Sequence, residues 1–158
     1  MAKVADIMTR EVETIGPTAT VLEVAERMKS SNIGSIPVCQ DSRLIGTITD
    51  RDITIRVTAE GRDPHTTTVR DVMTQPVVTV HPQQDVIEVE QLMHDHQVRR
   101  VPVVEQDNRL VGYVTTATIA KRGGDEKVVG KVLRGISQPQ KPAPEKISPS
   151  RTRGKTGS

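Results

Sequence analysis

The sequence predicts an α+β fold in which one β-α-β-β-α unit occurs twice and the copies pack as a pseudo-two-fold pair. Three observations carry this. Sliding the chain by 65 residues lines up Val4, Asp6, Met8 and Thr9 with Val69, Asp71, Met73 and Thr74, and Pro37 and Val38 with Pro102 and Val103. After one added residue, Arg43, Leu44, Gly46, Thr49 and Ile53 meet Arg109, Leu110, Gly112, Thr115 and Ile119. Within each copy the apolar spacing switches between strand and helix periods in the same order. A repeat longer than about 50 residues is a domain or half-domain rather than one unit of a solenoid. Two such halves enclose a cleft.

The first copy spans residues 3–61. Val4, Ile7 and Met8 give residues 3–9 the apolar face of a short helical lead-in. Val12 to Ile15 alternate and stop at Gly16-Pro17, which predicts a strand and a turn. Thr20-Val-Leu-Glu23 has capping-box spacing, and Val21, Val24, Ala25 and Met28 follow at helical intervals to about Asn32. Ile36 before Pro37 is pushed towards extended backbone, and Pro37 lacks an N–H, so a strand enters at a sheet edge. Leu44 to Ile48 is the next strand, joined to it through Asp41 and Ser42 as a hairpin. Arg51 to about Glu60 is a helix stopped by Gly61.

Residues 62–68 form a polar link with Pro64 and three threonines. The second copy, 69–122, repeats the order. Val77 to Val80 is a strand, and Asp85-Val-Ile-Glu88 opens a helix with a buried line of Val86, Val89 and Met93. Val101 to Val104 and Leu110 to Val114 are paired strands, and Thr116 to Lys121 is a short helix. Val128, Val129, Val132, Leu133 and Ile136 predict a last helix over 125–137. Pro, Lys and Ser dominate residues 139–158, which read as a disordered basic tail.

Composition bounds the function. A chain of 158 residues suffices for two small modules sharing one core. Tyr113 is the only aromatic residue, which removes the stacking platforms that single-stranded nucleic acid needs. The net charge of +2 divides into +4 after residue 138 (Lys141, Lys146, Arg151, Arg153 and Lys155 against Glu145) and −2 before it. The alternative role of the tail is contact with nucleic acid or another polyanion. No apolar run approaches the ~20 residues of a membrane span, and nothing resembles a signal peptide. With Cys39 the single cysteine, no internal disulfide forms, and a cytoplasmic protein is expected.

Gly46-Thr-Ile-Thr49-Asp-Arg-Asp52 carries the sharpest functional signal. Here a strand passes into a helix, whose free N–H groups and positive dipole end suit an anionic group such as a phosphate. Alternatively, Thr49 and Asp52 form a capping box that satisfies only backbone. Both readings stand at this level.

Asp-Ile-Met-Thr (6–9) and Asp-Val-Met-Thr (71–74), Ile36-Pro37-Val38 and Val101-Pro102-Val103, and Gly46-x-x-Thr49-x-x-Asp52 together resemble the CBS-domain family. The likeness is to a small stand-alone bacterial tandem, also called a Bateman module, and covers residues 3–122. It implies an adenosine-type ligand (AMP, ADP, ATP or S-adenosylmethionine) in the cleft between repeats, no required cofactor, and flat homodimers. It places Asp52 on the ribose hydroxyls, Thr49 on ribose or phosphate, the backbone of Ser35 and Ile36 beside Pro37 on the adenine edge, and Arg99 and Arg100 on phosphate. A carboxylate accepts from two adjacent hydroxyls, and a guanidinium presents several coplanar donors. The base is expected to lie between aliphatic side chains. Thr118 stands where the first copy has Asp52, and threonine cannot offer a diol two anionic acceptors, so one good ribose site per chain is expected.

The remaining signals are weaker. Cys39 reads as a small buried hydrophobe. His94 and His96, two apart on a helix, face different directions, so no metal site is expected. No nucleophile-base constellation appears, and no catalysis is expected. The reading is a regulatory module that reports an adenine nucleotide to an unidentified effector protein. The alternative is a structural or stress-associated homodimer that binds no nucleotide.

Overall fold

The structure is a computed structural model that describes residues 2–122. The helix expected over 125–137 and the tail at 139–158 lie outside the described residues. Each repeat centres on a two-stranded antiparallel hairpin beside helices. The first contains α1 (Val4–Ile7), α2 (Val21–Ser31), β1 (Ser35–Gln40), β2 (Arg43–Thr49) and α3 (Asp50–Ile53). The second contains α4 (Val69–Val72), α5 (Val86–His96), β3 (Arg100–Val104), β4 (Leu110–Thr115) and α6 (Thr116–Arg122).

Matching sequence produces matching detail. Helix α2 ends on Asn32 and α5 on Gln97, both left-handed (φ 52° and 54°) and 65 positions apart. Each hairpin carries one irregularity, after Val38 in β1 and after Val103 in β3. The predicted opening strands shrink to single parallel bridges, Ile15 with Val38 and Val80 with Val103. Only one residue meets the sheet before Gly16-Pro17, or His81-Pro82, turns the chain. Thr20 caps α2 by accepting from the Glu23 N–H (3.3 Å). Asp85 makes no such cap, because Lys3 holds its carboxylate at 2.7 Å. The helix after β2 keeps α geometry only to Ile53 and widens into a π turn over Thr54–Thr58. There Thr54 Oγ1 donates to the Asp50 carbonyl (3.1 Å), an alternative to the backbone ladder, and Gly61 follows at φ +65°.

The lead-ins are exchanged. Val4, Ile7 and Met8 pack into the second core with Val86, Val89, Met93 and Val101, while Val69, Val72 and Met73 pack into the first with Val21, Val24, Ile36 and Ile48. Thr9 bridges Tyr113 on β4, and Thr74 bridges Thr47 on β2. This crossing explains the glycine of each Gly-x-x-Thr motif. A Cβ on Gly46 would lie 2.7 Å from Met73 Sδ and 3.1 Å from the Thr74 carbonyl oxygen, and one on Gly112 would meet Met8 and Thr9 likewise. No helix among the described residues is long and apolar enough to cross a membrane.

Candidate functional site: a cleft between the repeats

A cleft of about 620 Å³ lies where the starts of the two hairpins face each other. From the first repeat come Gly34, Ser35, Thr47, Thr49 and Asp50, and from the second Arg99, Arg100, Pro102 and Tyr113. The second lead-in closes one side with Thr74, Pro76, Val77 and Val78, and the end of α5 contributes His96 and Val98.

The sequence candidates divide. Thr49, Ser35, Arg99 and Arg100 line this cleft; Ile36, Pro37 and Asp52 do not. Ile36 is fully buried, with its carbonyl accepting from Thr47 Oγ1 at 3.4 Å, and Pro37 is buried beside it. Asp52 is 8% exposed and turned inward. Its Oδ2 accepts from the Thr49 N–H (2.9 Å) and its Oδ1 from Thr74 Oγ1 (2.9 Å), with Arg56 Nε 4.0 Å away. Thr49 Oγ1 accepts from the Asp52 N–H (3.1 Å), completing the capping box. The other amides of this turn are satisfied as well, Asp50 N–H by the Gly34 carbonyl (3.0 Å) and Arg51 N–H by Asp50 Oδ1 (2.8 Å). The amides of the helix entrance are thus all hydrogen-bonded within the protein. Of the two readings of Thr49 and Asp52, these atoms adopt the cap.

The carboxylate that reaches the cleft is Asp50, two positions earlier, exposed at the strand-to-helix junction. Sequence spacing hid it, because a motif read as Thr-x-x-Asp discounts the residue between. Among the described residues, no carboxylate is within ion-pair distance of Arg99 or Arg100. Tyr113 was missed too. Its position on β4 corresponds to Thr47 on β2, and the wall is consequently not purely aliphatic. Burial raises the Tyr113 phenol above its ordinary pKa, while a hydrogen bond with Ser35 and the charge of Arg100 lower it. The available signal was that the chain's lone aromatic sits beside the motif glycine Gly112.

The second copy builds its turn differently. Thr115 Oγ1 and Thr118 Oγ1 are 2.8 Å apart, and Thr115 Oγ1 accepts the Thr118 N–H at 3.0 Å, so hydroxyls close a box that contains no carboxylate. Cys39 is half-buried, and burial pushes its thiol pKa up. Among the described residues, no group of three or more His, Cys, Asp or Glu is placed to hold a metal.

Comparisons with known proteins fit this architecture. The CBS domain CBS-domain model matches residues 4–58 and 69–125. The CBS domain-containing protein YhcV of Bacillus subtilis is 42% identical over 137 residues, 87% of this chain and 96% of its own. A crystal structure of Hypoxic Response Protein I with two coordinated zinc ions superposes with a TM-score of 0.70 at 40% identity, over 77% of this chain and 98% of that one. The CBS domain pair of protein MJ0100, in complex with 5'-methylthioadenosine and S-adenosyl-L-methionine, superposes with a TM-score of 0.66 at 29% identity, covering 76% and 94%. Duplicated hairpins, exchanged lead-ins and a cleft at their junction thus sit on a sequence matched over both halves, and the chain belongs to the CBS-domain family as a tandem pair.

Proposed function

We propose that this CBS pair is a cytoplasmic, non-catalytic regulatory module that binds an adenosine-type ligand of the AMP, ADP or ATP class in the cleft between its repeats. The carrying observation is the cleft's mixed lining. Its wall combines two arginines without a described ion-pair partner, several hydroxyls, one carboxylate and apolar side chains. Guanidinium groups suit phosphate oxygens, and a carboxylate suits a ribose diol. In this reading Arg99 and Arg100 take phosphate, Thr49 and Asp50 meet the ribose, and the backbone of Ser35 and Ile36 beside Pro37 reads the base. Asp52 joins the ribose contacts when the diol displaces the Thr74 hydroxyl from its Oδ1. Because ligand contacts come from both repeats, occupancy alters their packing, which an effector protein reads.

Thermal melts with AMP, ADP, ATP and S-adenosylmethionine test this. A ligand at 100 times its Kd adds about 2.7 kcal/mol, or roughly 5–11 °C for a chain of this length. Asp52→Ala is expected to weaken binding by roughly 10-fold or more, and Arg99→Ala with Arg100→Ala to weaken the phosphorylated ligands most. Asp50→Asn and Asp52→Asn together tell which carboxylate meets the diol. If no ligand moves the melt by more than about 1 °C, the sensor reading is wrong. The alternative, a structural homodimer, is favoured by the internally satisfied Asp52 and by exposed Ile55 (44%) and Ile87 (51%). It predicts a dimer by light scattering and no ligand response.

A further inference from the structure

The cleft is asymmetric although it lies between two copies of one unit. Some lining residues come in matched pairs: Gly34 with Arg99, Ser35 with Arg100, and Thr47 with Tyr113. Thr49, Asp50 and Thr74 also line it, but their counterparts Thr115, Thr116 and Thr9 are not in its wall. Of these pairs, Thr47 and Tyr113 is the one in which the second repeat puts an aromatic ring. Thr47 keeps its hydroxyl against its own sheet, 3.4 Å from both the Ile36 carbonyl oxygen and Ser35 Oγ, leaving space in front of β2. Tyr113, at the same place on β4, carries a half-buried ring that reaches Ser35 across the junction of the repeats. Pro76 and Val78 line the cleft, and the residues matching them, Glu11 and Glu13, do not.

We propose that Tyr113 makes the cleft one-sided: its ring takes the place of the second binding half and presents its face to the planar base of a single nucleotide held on the Thr49 side. The proposal rests on the nucleotide-binding reading and adds the residue that limits the cleft to one nucleotide. Aromatic faces stack on any base, so Tyr113 contributes affinity without selecting among bases.

The test is isothermal titration of the full chain with AMP and with ATP, alongside tyrosine emission. With no Trp and no other Tyr, that emission comes from Tyr113 alone. One equivalent per chain is expected, with emission changing in step with saturation. Tyr113→Thr, which installs the residue of the other repeat, is expected to weaken binding roughly 5- to 100-fold, and Tyr113→Phe, which keeps the ring, by less than about 3-fold. Two equivalents, an unchanged emission at saturation, or a folded Tyr113→Thr that binds like wild type would each overturn the proposal while leaving the nucleotide reading intact. No heat with either probe removes both. Stoichiometry and emission use the wild-type chain, so they decide even where a variant misfolds.

Discussion

Asp52 holds the first repeat's helix entrance to the second repeat's lead-in, so Asp52→Ala should destabilise the protein in the absence of any ligand. The substitution removes the acceptors of the Thr49 N–H and of Thr74 Oγ1, both at 2.9 Å, in a site only 8% exposed. Loss of a capping side chain costs about 0.5–2 kcal/mol, and a hydrogen bond to a charged group about 1.5–3 kcal/mol. The two share one carboxylate and do not simply add. The Arg56 contact is long, at 4.0 Å, and half-exposed on the arginine side, so it is discounted. A total of roughly 2–4 kcal/mol follows, or about 4–16 °C in Tm for a chain of this size. Thermal denaturation followed by circular dichroism measures it. A double-mutant cycle with Thr74→Val should return a coupling of roughly 0.5–3 kcal/mol. Thr118→Ala breaks only a neutral hydroxyl pair and should cost about 1 kcal/mol. An Asp52→Ala protein that melts within about 1 °C of wild type, or strict additivity with Thr74→Val, would refute the structural role.

Gly46→Ala and Gly112→Ala should each cost about 1–3 kcal/mol by equilibrium denaturation, because the added Cβ meets a buried methionine and the backbone of the crossing lead-in. Wild-type stability in either alanine variant would show that the lead-ins are not pinned there. Cys39 should react with a disulfide reagent more slowly in the folded chain than in denaturant, since burial raises its thiol pKa above the ordinary 9.0. The folded state keeps the thiol neutral, so this contribution to stability is complete below pH 9.0 and is lost as pH rises through the folded value. A Cys39→Ala protein losing stability equally over that alkaline range would contradict the assignment.

Local patterns made much of the fold legible. Thr20 and Glu23 announced the start of α2, Asp41 and Ser42 a tight hairpin, and the 65-residue register the duplication itself, each resting on contacts between near neighbours. The Thr49 and Asp52 spacing was equally local and gives the capping box, but which way the carboxylate turns depends on the tertiary structure. Thr74, 22 residues further on, donates to Asp52 Oδ1 and holds the carboxylate inward. Asp85 failed as a cap for a similar reason, since Lys3 arrives from the far end of the chain to take its charge.

By itself, then, the sequence determined the duplicated architecture, its family and most element boundaries, because periodicity, capping and turn chemistry act over a few residues. Which lead-in packs into which core, which aspartate faces the cleft and where Tyr113 falls were decided by contacts between the two copies. A self-alignment pairs each residue with its counterpart, and these contacts join residues that it places in different halves.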